Sequence, residues 1–296
     1  MRYPFGLVLA LLLSACSGSA PLPPRAAALN QGGVEALENG DLDAASARFG
    51  LALEYHPRFV EALANQGLVE LQRGNFSRAR QLLERAVRVN PDIAQPHHGL
   101  GVLAEREGSP ASAAEHYREA LAVDPGFVPS RFNLARLLFE SRELHHAEEQ
   151  FRRLTAAAPE DPRGYAGHAE ALLGLGRVEE AASAVHRGLE RAATDPSLSI
   201  LRARLKLLAG DAHDAVDLLA PLARERSDVG ARALAFLAVA ELARNEPRRA
   251  VAAAARSLAL EPRDEVAAYA MANALEALGD PRAAKYRRQS ETVPAR

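Results

Sequence analysis

The chain has 296 residues, room for two or three ordinary domains, and with 48% apolar and 25% charged residues it is not a disordered polyelectrolyte. Thirty-six basic against 38 acidic residues give a net charge of −2, which argues against a dominant basic surface for nucleic acid, and the single cysteine, Cys16, excludes an internal disulfide and a Cys-based zinc site. There is no Trp, only 5% of residues are aromatic and roughly one in five is Ala, a composition suited to helices with close crossings and poor in sheet formers.

The first element is Met1, Arg2, then an apolar stretch from Phe5 to Leu13, then Ser14, Ala15 and Cys16. A positive start, a short apolar run and small residues have the layout of a secretory signal. Nine helical residues reach only about 14 Å, too short for a hydrocarbon core of about 30 Å. Leu13-Ser14-Ala15-Cys16 resembles the lipobox of bacterial lipoproteins. The resemblance implies cleavage after residue 15 and lipidation of Cys16, with enough acyl chain for permanent anchoring. Ser17 stands where many such proteins carry the Asp that retains them in the inner membrane, so the implied destination is the periplasmic face of the outer membrane. Residues 16–25, rich in Pro and Gly, read as a flexible tether.

From there the chain is periodic. Pro57, Pro91, Pro125 and Pro159 are 34 residues apart, as are Ala45, Ala79, Ala113, Ala147, Ala181 and Ala215, with Ala250 and Ala284 continuing after one inserted residue. A copied unit of this length implies a solenoid. Within one copy Leu63, Gln66, Gly67 and Glu70 follow helical spacing, Gly74-Asn75 makes a turn, and Ala79, Leu83 and Ala86 mark a second helix that stops before Asn90-Pro91.

These residues resemble the tetratricopeptide repeat. Gly33, Gly67 and Gly101 fall at its position 8; Gly40-Asp41, Gly74-Asn75, Gly108-Ser109 and Gly176-Arg177 at its turn; Phe49, Tyr117 and Phe151 at position 24; Ala52, Ala86 and Ala120 at position 27. The resemblance implies an all-α, right-handed α-solenoid. Its units are 26–59, 60–93, 94–127, 128–161, 162–195, 196–229 and 231–264, followed by a partial eighth repeat and cap over 265–290 and a disordered tail over 291–296. Position 4 is never Trp, being His97 and Arg131 in the third and fourth units. The sixth unit, with Lys206 at position 11 and no proline at 32, is expected to pack more loosely.

No enzymatic constellation emerges. Gly99, Gly101 and Ala104 match a dinucleotide fingerprint formally but lie inside a repeat helix with no strand before it. His97-His98 and His145-His146 diverge by about 100° on a helix and cannot chelate as pairs. His145 with Glu149, and His213 with Asp217, have i, i+4 spacing and read as surface partners. No metal, cofactor or small-molecule substrate is expected.

By the resemblance, the first helix of each unit lines a groove for a protein or peptide. Ala64, Leu68 and Leu71, then His98, Val102 and Arg106, then Phe132, Arg136 and Phe139 would face it as an apolar strip with two cations, suited to a peptide with a few acidic groups. The same residues would read equally as solenoid core if the helices are tilted. Asn65 and Asn133, at position 6, imply backbone support. A lipobox followed by these repeats, with the stretch from Ala114 to Leu121, is similar to the pilotin lipoproteins of type IV pili, which bring a secretin to the outer membrane. The implied function is that of an outer-membrane adaptor in envelope assembly. The alternative is a non-catalytic partner in polysaccharide export or glycan processing.

Overall fold

The structure, a computed structural model, describes residues 21–291; Cys16, the signal and the residues after 291 lie outside them. Among the described residues there are sixteen α-helices and no strand. They pair as α1 (Pro24–Glu38) with α2 (Leu42–Tyr55), α3 (Val60–Gln72) with α4 (Phe76–Val89), α5 (Ala94–Arg106) with α6 (Pro110–Val123), α7 (Val128–Glu140) with α8 (Leu144–Ala157), and α9 (Pro162–Gly174) with α10 (Val178–Arg191). The series continues with α11 (Pro196–Leu208) and α12 (Ala212–Leu222), α13 (Asp228–Ala243) and α14 (Pro247–Leu260), and α15 (Glu265–Ala277) and α16 (Ala283–Glu291). This is the all-α, tandem helix-pair arrangement of the α-solenoid class. α1 begins at Pro24, inside the stretch read as tether, because proline fits a first helical turn whose N–H is unpaired anyway.

One turn joins the helices of every pair. Gly40, Gly74, Gly108, Arg142, Gly176, Gly210, Asn245 and Gly279 all have φ between 60° and 86°. Each donates its N–H to the carbonyl three residues back while the next residue donates five back, as Gly74 does to Leu71 at 3.0 Å and Asn75 to Glu70 at 2.8 Å. This double closure satisfies the last carbonyls of the first helix. Arg142 and Asn245 do without glycine what the sequence pattern assigns to it. Between pairs, Pro57, Pro91, Pro125 and Pro159 lie just past the second helices, where they block continuation.

The contacts divide the chain into two compact units, up to Leu103 and from Ala104 on, so the division falls inside α5. In the first unit the interior is a series of small clusters: Ala36, Ala45, Phe49 and Val69; Val60, Leu63, Leu82 and Ala86; and Ala64, Leu71, Ala79, Leu83, Leu100 and Leu103. In the second, Leu172, Ala181, Val185 and Leu201 form one cluster, and Ile200, Leu219, Leu234 and Met271 belong to the largest. The periodic alanines from Ala45 to Ala250 are fully buried, which lets backbones approach closely. Ala284 is exposed; Ala283 and Tyr286 pack on the last cluster instead, and Arg282, Lys285, Arg287 and Arg288 face water. The sixth repeat is not loosely packed: Leu198, Ile200, Leu201 and Leu219 are at most 2% exposed. Its irregularity is a short α12 of 11 residues, ending one residue after Pro221, which has no N–H for the helix ladder.

Candidate protein-binding face

The nine residues expected in a groove divide between the two units, and one of them, Ala64, is core instead: it is fully buried in the cluster with Leu83 and Leu103, where α3 packs closely on its neighbours. In the first, Leu68 and Val102 are half-buried and lie against the cluster around Leu83 and Leu103, so each keeps part of its surface open. Leu71 is only 6% exposed and belongs to that cluster. It is core rather than groove because it sits in the last turn of α3, where α4 folds back and Phe76 packs on the same cluster. His98 is half-buried beside the buried His97, whose Nε2 lies 2.9 Å from the Pro91 carbonyl oxygen.

In the second unit Arg106 is exposed, while Arg136 is already engaged. It donates to Glu140 at 2.8 Å and forms an ion pair with Glu105. Burial alone would lower the Arg136 pKa, but these carboxylates outweigh it and keep the guanidinium charged. Phe132 makes an edge contact with Phe151 (centroids 6.5 Å apart), and the Arg163 guanidinium lies 4.9 Å from its ring centroid. Phe139 is half-buried at the end of α7.

The residue missed from sequence is Glu105. It accepts a 2.6 Å hydrogen bond from the fully buried Tyr117, whose hydroxyl also accepts from Asn133 at 3.1 Å. Burial, then Glu105, push the Tyr117 pKa well above the usual phenol value. The available signal was a carboxylate next to Arg106 at a position that faces the next repeat's Arg136. Asn65 and Asn133 are structural, but they bond side chains rather than backbone: Asn65 donates to Asn30 at 3.0 Å and accepts from Gln95 at 2.6 Å, linking α1, α3 and α5.

Among the described residues no cluster of three His, Cys, Asp or Glu could hold a metal, and no helix is long and apolar enough to cross a membrane. Glu149 pairs with Arg152 and Arg153 rather than His145, and His146 is 3.1 Å from Glu143. A cavity of about 540 Å³ is lined by residues of α10 and α11, with Val185, Leu189 and Leu205 on its walls. Its Lys206 is neutralised by Asp211 at 3.1 Å and Asp214 at 2.8 Å.

Tandem helix hairpins closed by one repeated turn define a repeat scaffold. Residues 30–87 and 65–126 match one tetratricopeptide repeat family profile and 104–171 another, so residues 30–171 carry tetratricopeptide repeats. The same turn and buried alanine continue beyond residue 171. A tetratricopeptide repeat protein from Parabacteroides merdae is similar, with a TM-score of 0.58 at 17% identity over 86% of this chain and 100% of that one. PilW, described as a widely conserved type IV pilus biogenesis factor, has a TM-score of 0.58 at 20% identity over 68% and 93%. Pseudomonas aeruginosa pilF has 0.58 at 23% over 70% and 94%. At these identities the likeness is one of fold. No curated protein matches the sequence.

Proposed function

We propose that this protein is a lipid-anchored periplasmic adaptor, attached to the outer membrane through Cys16, whose repeats hold a protein partner during envelope assembly, with assembly of a type IV pilus secretin as the specific case. The observation that carries the reading is the set of large apolar side chains on first helices that their own cores leave partly open: Leu68 and Val102 in one unit, Phe132 and Phe139 in the other. Scattered apolar exposure is ordinary, but its recurrence on the equivalent helices of each unit suits contact with a protein partner. The lipobox-like Leu13-Ser14-Ala15-Cys16 supports the anchor, and the fold shared with PilW supports the pilus setting.

The partner test is crosslinking in the native envelope followed by pull-down. Wild type should retain a secretin subunit, and Leu68→Glu with Phe132→Glu should lose it while keeping the helical circular dichroism signal. Unchanged retention contradicts the binding face, and recovery of a polysaccharide-export component would replace the pilus assignment. For the anchor, labelled fatty acid should enter the wild type and not Cys16→Ser; label in both refutes lipidation.

A further inference from the structure

A second cavity, of about 490 Å³, is bounded by α6, α7 and α8, and none of the residues proposed for partner binding lines it. Its wall includes Arg131, which is 6% exposed. The guanidinium bonds only neutral acceptors: Nη1 donates to Gln150 Oε1 at 2.9 Å, Nη2 donates to the Pro125 carbonyl, and the enclosed Nε has no partner. Glu149 acts on it only from a distance and is itself bonded to Arg152 and Arg153. Burying a guanidinium without a bonded carboxylate is unfavourable, because the charge leaves water without gaining an opposite one. The carbonyl contact does not require that charge, because His97 at the same position of the preceding repeat reaches the Pro91 carbonyl with an imidazole. Burial, then Arg153, pull the Arg131 pKa below the usual arginine value, the sign of a charge the fold leaves uncompensated.

The rest of the cavity indicates what would compensate it. Arg118 and Arg153 add two cations, and Leu134 and Leu138 contribute apolar wall. Of the carboxylates near these three arginines, Glu143 on the wall lies 3.1 Å from His146, and Glu149 is shared between Arg153 at 2.6 Å and Arg152, so the wall keeps an excess of positive charge. That excess suits an anion, and the apolar wall beside it suits an organic acid better than an inorganic ion with no apolar body. We propose that this cavity binds a carboxylate carried on an apolar body, as presented by the free C-terminus of a protein ending in an apolar residue. Arg131, Leu134 and Leu138 follow i, i+3, i+7 spacing on α7, on a different face from Phe132, Arg136 and Phe139, so this site and the adaptor reading can fail separately.

The test uses the folded protein, at low salt and about pH 8, where His is neutral. The probes are a labelled Gly-Ser-Gly-Leu-Phe peptide with a free C-terminus, its C-terminal amide, and 3-phenylpropanoate. The free acid should saturate in fluorescence anisotropy, the amide should bind at least about tenfold more weakly, and 3-phenylpropanoate should compete and raise the unfolding midpoint. A raised unfolding midpoint with 3-phenylpropanoate and no binding of either peptide would assign the same carboxylate chemistry to a small acid. Arg131→His, which borrows the preceding repeat's solution, should fold and lose about tenfold in affinity. Arg118→Ala, at an exposed position, should weaken binding severalfold and serves should Arg131→His fail to fold. Wild-type affinity in the variant that folds, equal binding of acid and amide, binding of inorganic phosphate alone, or no binding of either carboxylate would overturn the proposal.

Discussion

Gly167 and Phe151 share one space: a Cβ on Gly167 would stand 2.2 Å from Phe151 Cε1, so α9 lies directly on the aromatic ring that α8 presents. Phe151 is 5% exposed and has nowhere open to swing. Gly167→Ala should therefore cost about 1–3 kcal/mol through forced displacement of the ring. Gly50, inside α2, has nothing within 4 Å of its own added Cβ, and Gly50→Ala should gain about 0.5–1 kcal/mol from reduced chain entropy. Urea unfolding of the two variants should move in opposite directions; equal shifts would refute the packing account.

The turns supply a second contrast. Arg142 holds φ 63° where the equivalent turns before and after it have Gly108 and Gly176. A left-handed backbone strains an L-residue by about 1–2 kcal/mol, partly offset in glycine by the entropy it loses on folding. Arg142→Gly is expected to raise stability by about 0.5–1 kcal/mol, and Gly74→Ala to lower it by about 1 kcal/mol. Thermal unfolding checks both signs.

The helix-pair architecture was legible because its determinants are local and copied: a proline that stops a helix, an alanine at each crossing, a turn residue every 34 positions. Legibility failed where tertiary geometry overrides the local pattern. Arg142 takes the glycine conformation under the same pair of backbone hydrogen bonds, which no propensity reveals, whereas Asn245 is the residue after glycine that most readily adopts it. Leu71 follows the same helical spacing as Leu68, yet the returning α4 covers one and leaves the other partly open. For the candidate face, residue type indicated Arg136 as a free cation; its neutralisation comes from Glu105, 31 residues earlier. Such pairings depend on how successive repeats stack, and a single sequence shows which charges exist but not which ones meet.

The Glu105–Tyr117–Asn133 network gives a third test. Tyr117→Phe keeps the ring that fills the core and removes only the hydroxyl, leaving Asn133 without its acceptor and Glu105 with one donor fewer. Loss of these buried bonds should cost about 1–3 kcal/mol. Removing Arg136 as well, in a double-mutant cycle, should show non-additivity, since Arg136 and Tyr117 share Glu105. Additive unfolding energies would mean that the two contacts act independently.

His168 makes stability depend on pH in a definite direction. It is 5% exposed, with Nε2 2.9 Å from Glu148 Oε1 and Nδ1 buried without a partner. Burial lowers its pKa, Arg187 and Arg152 act in the same sense, and Glu148 opposes them without prevailing. The folded protein thus holds the neutral ring with Nε2–H donating, while the unfolded chain takes up a proton near the ordinary value of about 6.5. Between that value and the lower folded pKa the unfolded state binds more protons, so stability is retained above about pH 6.5 and falls as pH decreases through the window. The urea midpoint of the wild type should drop between about pH 7.5 and pH 5, and the drop should be shallower in His168→Gln, which can still donate to Glu148 but cannot become charged. A drop of the same size in both proteins would place the pH dependence in other groups and remove His168 from the account.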